Sequence, residues 1–215
     1  MSSFVLKIIA VLAMTIDHIG YALFPNITFL RAIGRIAFPI FAFQIALGFK
    51  NTGNREKYIL RILLFSIISQ YPFHLLTSIY SNQLKLNIGF TFLLALLVLY
   101  SIEEVKPIWG KMLCLIPIFT IAYLLNYDYY LYGIAAVIMF YYTYKKTYAV
   151  FPIFYSATMI YCMYKENLMQ IYSIFALLPI LLYNNKKGPS FKYFFYIFYP
   201  VHMLIIYFIF TKITH

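Results

Sequence analysis

Long apolar segments separated by short polar breaks run along the whole chain. The first of them extends from Phe4 to Phe24 and has 21 residues. As a helix that rises about 1.5 Å per residue, it covers about 30 Å, the thickness of the hydrocarbon core of a bilayer. Similar segments follow, and the pattern predicts about nine membrane-spanning helices. Their ranges are 4–24, 28–49, 58–80, 86–102, 107–125, 129–144, 147–164, 168–183 and 192–211. The sixth is short enough to merge with a neighbour or to re-enter the membrane, which would change the count by one.

The composition identifies the class of protein. Hydrophobic residues make up 64% of the 215 positions and charged residues only 11%, and the mean hydropathy is +0.81. A soluble domain has about 25% charged residues. The predicted fold is therefore all-α, a polytopic transmembrane helical bundle that forms one integral-membrane domain over residues 1–215. Because the first segment is long and is followed by no small-residue cleavage motif, we expect no cleaved signal peptide.

The distribution of Lys and Arg predicts the orientation of the bundle. The formal net charge is +11, but no basic patch lies on a polar element, so we expect no nucleic-acid partner. Twelve basic residues fall on the side of the N-terminus and four on the opposite side, which predicts a cytoplasmic N-terminus. The twelve are Lys7, Lys50, Arg55, Lys57, Arg61, Lys106, Lys111, Lys145, Lys146, Lys186, Lys187 and Lys192, and the four are Arg31, Lys85, Lys165 and Lys212.

An adjacent Asp17 and His18 interrupt the first apolar segment. An ionisable group inside a membrane costs a few kcal/mol and marks a functional site unless it is simply paired. His18 lies about 9 Å before the outer end of its segment, and Arg35 lies about 10 Å into the next, antiparallel one. We therefore predict that Arg35 pairs with Asp17, and that His18 lies beside this buried ion pair.

Further polar side chains fall in the same half of the predicted bundle. They are Arg31, Gln70, His74, Asn87, Tyr199 and His202. Pro72 and Pro200 are predicted to kink their helices and to free a main-chain carbonyl. For His74, a packing role with the ring bonded to a carbonyl is an equal alternative. A basic stretch such as that from Lys50 to Arg61 is more often a determinant of topology than a ligand site, and a role in binding a co-substrate is the alternative.

The residue types suit general-base chemistry better than a metal or phosphate-loop mechanism. We find no Walker loop, no dinucleotide-binding glycine motif and no nucleophilic Ser or Cys motif, and the two cysteines have no metal-ligand spacing, so no metal is expected. A neutral His beside a carboxylate can take a proton from an amine or hydroxyl that attacks an acyl carbonyl. A neighbouring Arg, Asn or Gln can stabilise the oxyanion. Proton-coupled transport would use the same residue types.

The sequence also resembles the TraX family, most closely over roughly residues 1–95 and again in the last apolar segment. The residues that carry the resemblance are Leu6 to Ala10, Met14 to Gly20, Leu30 to Phe43, Gly48, Phe49, Thr52 to Arg55, Tyr58, Arg61, Leu63, Phe65, Ile68 to Phe73, Asn87, Phe90 to Phe92, Asp128, Tyr129, Tyr132, Gly133, Lys192 to Tyr196 and Tyr199 to His202.

This resemblance implies a polytopic protein of the bacterial inner membrane. The namesake of the family is required for N-terminal acetylation of conjugative pilin, and the family resembles the integral-membrane acyltransferases, in which a His late in the first span is taken as the catalytic base. His18 has the similar position here. One departure is Tyr130, where family members often have Gly after the Asp-Tyr pair, so an acceptor contact in that loop does not carry over.

Together these observations predict a membrane-embedded acyltransferase, most simply an acetyltransferase that uses cytoplasmic acetyl-CoA. His18 would be the base, with Asp17 and Arg35 as its orienting pair. Arg55 and Arg61, with Gln44, would contact the donor. The acceptor or oxyanion side would be lined by Gln70, Asn87, Tyr199, His202, Arg31 and His74. The acceptor would be an amine or hydroxyl on a peptide, a lipid-linked sugar or an envelope glycan at the membrane. The alternatives are a proton-coupled small transporter or flippase and a noncatalytic membrane chaperone for a secreted peptide.

Overall fold

The computed structural model describes residues 1–81, 83–125, 128–144, 147–189 and 192–214, without the side chains of Thr147 and Lys192. Within these ranges the regular elements are helices: α1 (Ser3–Ala22), α2 (Thr28–Gly34), α3 (Ala37–Asn51), α4 (Arg55–Thr77), α5 (Ile88–Glu104), α6 (Ile108–Leu124), α7 (Tyr130–Thr143), α8 (Thr147–Lys165), the 3₁₀-helix η1 (Leu168–Ala176), α9 (Leu177–Leu181) and α10 (Lys192–Thr214). The predicted all-α fold is confirmed.

Each predicted apolar segment corresponds to one helix or to two consecutive helices. In the part of the chain that the structure describes, four stretches are long and apolar enough to cross a bilayer: Ser3–Ala22, Thr28–Asn51, Arg55–Thr77 and Tyr193–Thr214. The other apolar helices are shorter, such as the 17-residue α6 and the 14-residue α7. The count of nine complete spans therefore stays a prediction. Lys145 and Lys146, two of the twelve basic residues, lie outside the described residues.

The second predicted segment is not one uniform helix but two, α2 and α3, which meet at Arg35 and Ile36. Pro39 explains the break, because a proline has no N–H to donate and its ring clashes with the carbonyl four residues earlier, that of Arg35. The main-chain hydrogen bonds here span three residues instead of four. The Arg35 N–H donates to the Ala32 carbonyl at 3.2 Å, and the Ile36 N–H donates to the Ile33 carbonyl at 3.3 Å. By contrast, α4 and α10 continue through Pro72 and Pro200.

Two apolar clusters hold the helices together. The larger one is built around α3, whose Ile40, Phe43 and Phe49 are buried among residues of α5 and α7. The smaller one joins α1, α4 and α10, and its members include Met14 and Met203. Helices α1, α3 and α4 contribute residues to both clusters, α3 to the smaller one through Ala37. The polar residues near the C-terminal end of α1 lie beside the smaller cluster.

Close contact between α1 and α2 depends on Gly34. A Cβ atom added at this position would overlap the Cβ atom and the carboxylate of Asp17. Only glycine therefore lets the two helices approach until the Asp17 side chain lies against the backbone of α2. Gly20 makes the reciprocal contact from α1, against the Leu30 side chain.

We predict that Gly34→Ala lowers the free energy of unfolding by about 2 kcal/mol, because overpacking of a closely packed contact costs about 1–3 kcal/mol. Thermal unfolding of the purified protein in detergent measures the change. The matched control is Gly53→Ala, because a Cβ at position 53 meets no atom within 4 Å. Equal transition temperatures for the two variants would contradict the close contact.

Candidate functional site

Asp17 is shared by two arginines. Its Oδ2 lies 2.8 Å from Nη1 of Arg31, and Nη2 of Arg35 lies 2.6 Å from Oδ1 and 2.7 Å from Oδ2. The side chains of Asp17 and Arg35 are only 13% and 15% exposed. The predicted pairing of Asp17 with Arg35 is therefore confirmed, and Arg31 joins it as a second partner.

The helical spacing of the two arginines makes this sharing possible. Residues 31 and 35 are four apart, so their side chains leave α2 on one face, the face that packs on α1. Nη1 of Arg31 also donates to the Asp17 main-chain carbonyl at 3.0 Å, and Nε of Arg35 donates to the Arg31 carbonyl at 3.2 Å. The Arg31 guanidinium lies 5.1 Å from the centre of the Tyr21 ring. Two guanidiniums against one carboxylate leave the cluster with one net positive charge.

His18 contacts a different helix. Its Nδ1 lies 2.7 Å from Nε2 of His202 on α10, and the two rings are almost parallel, with an interplanar angle of 8°. Successive residues on a helix point about 100° apart. Asp17 can therefore face α2 while its neighbour His18 faces α10. Sequence reasoning assigned the orientation of His18 to Asp17 and Arg35, whereas in the structure the imidazole receives its hydrogen-bonding partner from His202.

His202 is itself held on both sides. It is 5% exposed, and its Nδ1 lies 2.9 Å from the main-chain oxygen of Phe198. The Phe198 ring lies parallel to the His202 ring at a centroid distance of 5.0 Å, and the Tyr199 ring meets it edge-on at 5.8 Å. We refer to His18 and His202 as the histidine pair.

Gln70 and Asn87 connect α4 to the beginning of α5. Asn87 is fully buried and caps α5, because its Oδ1 accepts from the Gly89 N–H at 2.8 Å. Its Nδ2 donates to the Ser66 carbonyl and to Oε1 of Gln70. Nε2 of Gln70 donates to the Lys85 carbonyl at 2.8 Å. These bonds give both amides a structural role, and the predicted role in substrate binding stays a prediction.

A cavity of about 380 Å³ lies between α1, α3, α4, α5 and α10. Its lining includes Met14 and Tyr199, which lie one helical turn before His18 and His202 respectively, so this end of the cavity approaches the histidine pair. The opposite end lies where α1 begins and α3 ends. The lining there includes Lys7, Gln44, Asn51, Thr52, Arg61 and Tyr196.

The polar end of the cavity carries positive charge and an unused donor. In the described ranges, the ion pairs are Arg31–Asp17, Arg35–Asp17 and Arg55–Glu104, and neither Lys7 nor Arg61 takes part in one. Oε1 of Gln44 accepts a hydrogen bond from the Ser3 hydroxyl at 2.6 Å, whereas the buried Nε2 of Gln44 has no partner among the described atoms. These groups fit a ligand with negative charge and hydrogen-bond acceptors.

Two predicted site residues lie elsewhere. Arg55 pairs with Glu104 and stacks on Phe49 at 4.6 Å, and it is not part of the cavity lining. His74 is half-buried in the last turn of α4, where its main-chain carbonyl accepts from Thr77 and Ser78. The structure therefore brings Arg61 and Gln44, but not Arg55, to the cavity. It also adds Lys7, which sequence reasoning treated only as a determinant of topology.

A second group that sequence reasoning did not assign to the site is Asp128 with Tyr129, just before α7. The Asp128 N–H donates to the Leu86 carbonyl at 3.2 Å, and its carbonyl accepts from the Thr91 hydroxyl at 2.5 Å. Tyr129 stacks on Phe38 at 3.9 Å, about one turn beyond Arg35. Burial raises the pKa of the Asp128 carboxyl, and the nearby positive charge of Arg35 opposes the shift. Asp128 and Tyr129 are among the residues that carry the resemblance to the TraX family, and this was the signal in the sequence that could have assigned them to the site.

Within the described ranges, no three His, Cys, Asp or Glu side chains come together as metal ligands would. The histidine pair is bonded ring to ring, and Asp17 is occupied by two guanidiniums. The described residues bring together two imidazoles, a positively charged ion cluster and a cavity whose lining includes Lys7 and Arg61.

We predict that Asp17→Asn lowers the free energy of unfolding by about 3–5 kcal/mol, because it leaves two partly buried guanidiniums without their counter-charge. The matched control is Arg55→Gln, which removes the exposed ion pair with Glu104 and should cost at most about 1 kcal/mol. Unfolding of both variants in detergent distinguishes them. A stability of Asp17→Asn close to that of the control would show that the cluster does not hold α2 on α1.

Comparison with known proteins identifies the family. Residues 2–210 match the family described as TraX protein. A probable fimbrial assembly protein FimC, serogroup H1, of Dichelobacter nodosus is 28% identical over an alignment of 230 residues, which covers 95% of this chain and 94% of that protein. An uncharacterized protein of Rickettsia prowazekii (strain Madrid E) is 45% identical over 65 residues, or 30% of this chain and 24% of its own. No solved structure matches the chain. With a match over almost its whole length and a bundle of apolar helices, the chain belongs to the TraX family of integral membrane proteins.

Proposed function

We propose that this protein is a membrane-embedded acetyltransferase, which moves an acetyl group from cytoplasmic acetyl-CoA to an acceptor at the membrane with His18 as the general base. One observation carries the proposal. A cavity that has Lys7 and Arg61 in the lining of one end reaches, at its other end, Met14 and Tyr199, each one helical turn from a member of the histidine pair. A positively charged end and a second end that points towards the histidine pair suit a long donor with a negatively charged head and a reactive tail.

The cavity supports a donor of this shape in three ways. Lys7 and Arg61 supply positive charge for phosphate groups, and the planar guanidinium of Arg61 matches phosphate geometry. Gln44 offers a buried N–H without a partner in the described part of the chain, which suits an amide carbonyl of a pantetheine arm. From Lys7 to His18 the rise along α1 is about 16 Å. An extended pantetheine arm is of comparable length, so its thioester would reach the base.

The chemistry of the transfer follows from the position of His18. An amine or hydroxyl of the acceptor attacks the acetyl carbonyl carbon, and its proton passes to the imidazole of His18. The new bond to the acceptor forms, the carbon–sulfur bond breaks, and the imidazolium returns the proton to the departing thiolate. The net positive charge of Asp17, Arg31 and Arg35, next to His18 along the chain, would favour the oxyanion that develops on the carbonyl. Half-burial of His18 strengthens these interactions because the local dielectric constant is low.

The relatives support an acceptor of the pilin type. A relative that matches over most of both chains is named a fimbrial assembly protein, and the resemblance to the TraX family implies acetylation of a pilin N-terminus. We therefore propose a peptide amine as the first acceptor to test, with a lipid-linked sugar or an envelope glycan as the other candidates. Each of these acceptors would be presented at the membrane.

We further propose that the N-terminus lies in the cytoplasm and that the bundle lies in the bacterial inner membrane, because twelve basic residues fall on the N-terminal side against four on the other. In a variant without native cysteines, Lys106→Cys should react with a membrane-impermeant maleimide only after the membrane is opened. Ser81→Cys should react in intact spheroplasts. The reverse pattern would contradict the orientation, and the cavity mouth would then face away from cytoplasmic acetyl-CoA.

For the activity, we predict that purified protein transfers the label of acetyl-CoA to a peptide amine and that His18→Ala reduces the rate by at least about 100-fold, because general-base catalysis contributes about 10²–10⁴. Leu12→Ala, on an exposed face of the same helix, is the control and should keep the wild-type rate. Equal rates in His18→Ala and Leu12→Ala would contradict the assignment of the base.

The mouth of the cavity has a separate test. Arg61→Ala should raise the KM for acetyl-CoA about tenfold with little change in kcat, because it removes binding of a part of the donor that does not react. Lys106→Ala removes a charge from the same predicted face outside the cavity and should leave KM unchanged.

A wild-type protein that moves solute or supports secretion without any thioester turnover would favour the transporter or the chaperone instead.

A further inference from the structure

The hydrogen bonds around His202 determine which of its nitrogens carries the proton. A main-chain carbonyl can only accept, so the nitrogen 2.9 Å from the Phe198 oxygen must donate. Nδ1 of His202 therefore holds a proton. His202 is 5% exposed and packs against the Phe198 ring, so a second proton, and with it a buried charge, would be costly. The neutral ring has its lone pair on Nε2.

This lone pair determines the tautomer of His18 in turn. Nε2 of His202 lies 2.7 Å from Nδ1 of His18, so it accepts, and Nδ1 of His18 donates. A neutral imidazole has one N–H, and here that N–H is at Nδ1. The lone pair of His18 is then on Nε2, the nitrogen that does not face His202. A directed chain of hydrogen bonds thus runs from His18 through His202 to the Phe198 carbonyl.

We propose that His202 is the positioning residue of the acetyl transfer: it holds His18 in the Nδ1–H tautomer and so leaves Nε2 free to take the proton of the acceptor. This inference rests on the proposed function. It differs from the sequence-based assignment, in which His202 lined the acceptor site. The parallel rings of His18, His202 and Phe198, with interplanar angles of 8° and 10°, give the chain one fixed orientation.

The same arrangement stabilises the charged form of the base during the reaction. When Nε2 of His18 takes the proton of the acceptor, the ring becomes an imidazolium, and its Nδ1–H bond to His202 becomes charge-assisted and stronger. The proton on Nδ1 does not need to move. Nε2 then gives its proton to the thiolate that leaves, and the pair returns to its starting state. A similar effect holds in serine protease triads, where a wrong imidazole tautomer costs about 10⁴ in rate.

Two substitutions at position 202 separate this role from simple packing. His202→Leu puts an apolar side chain of moderate size at this position and removes the acceptor. We therefore expect the rate of acetyl transfer to fall by about 100-fold or more while the KM for acetyl-CoA changes by less than about threefold. In His202→Gln the amide oxygen can occupy the position of Nε2 and accept from His18, so the tautomer is kept and we expect a rate within about tenfold of wild type. Met203→Leu, a volume-conserving change at the fully buried neighbour, is the control for packing.

The tautomer has its own measurement, independent of activity. Ring nitrogens with and without a proton give well-separated ¹⁵N chemical shifts, so ¹⁵N-histidine labelling reports the state of His18. We expect a protonated Nδ1 and an unprotonated Nε2 in the wild type and in His202→Gln, and a shift of the population towards Nε2–H in His202→Leu. His18→Ala identifies the signals of His18.

The outcomes distinguish this inference from the proposed function. Acetyl transfer in the wild type together with an unchanged rate and tautomer in His202→Leu would overturn the role of His202 and leave the function standing. If the wild type shows the expected tautomers but transfers no acetyl group, the proposed function is contradicted, whereas the directed hydrogen-bond chain stands. If His202→Leu does not fold, the ¹⁵N shifts of the wild type and of His202→Gln decide, and an Nε2–H tautomer of His18 in both would refute the proposal.

Discussion

The ion cluster of Asp17 with Arg31 and Arg35 is the interaction on which the rest of the structure depends. A carboxylate within an apolar helix must be paired, because an unpaired charge in a medium of low dielectric constant costs several kcal/mol. Here both carboxylate oxygens receive guanidinium N–H groups from one face of α2. This requirement draws α2 against α1. The contact is possible only because position 34 is a glycine.

Pairing of Asp17 also fixes the rotation of α1 about its own axis. Once Asp17 faces α2, the neighbouring His18 must point towards α10, where it meets His202. Met14, one turn earlier, then lines the cavity whose far end includes Lys7. One helix thus carries the carboxylate of the ion cluster, an imidazole of the histidine pair and a part of the cavity wall on successive faces. The candidate site is therefore the consequence of a single rotational constraint, and its parts cannot be adjusted independently.

Much of this arrangement can be predicted from the sequence. The remainder depends on how the helices rotate and pack, which the sequence pattern does not report. Hydropathy gives the helices, and depth counting along antiparallel segments gives the partnership of Asp17 with Arg35. Depth counting does not tell which way a side chain faces around its helix. The sequence therefore places His202 in the same half of the bundle as His18 but does not identify the two as partners. The break between α2 and α3 has a local cause in Pro39. Lys7 and Arg55 are both basic residues on the same predicted side of the bundle. Only the packed structure shows that Lys7 lines the cavity, whereas Arg55 forms an ion pair with Glu104 outside it.

The most direct test of the account is a structure of the protein with a non-hydrolysable acetyl-CoA analogue, because the central claim is that one cavity brings a donor to His18. We predict that the phosphates lie beside Lys7 and Arg61. We also predict that the acetyl carbonyl lies close to Nε2 of His18, so that an amine or hydroxyl that attacks the carbonyl can donate a hydrogen bond to this nitrogen. An analogue bound at the opposite end of the bundle, or one whose acetyl group lies far from the histidine pair, would contradict the claim.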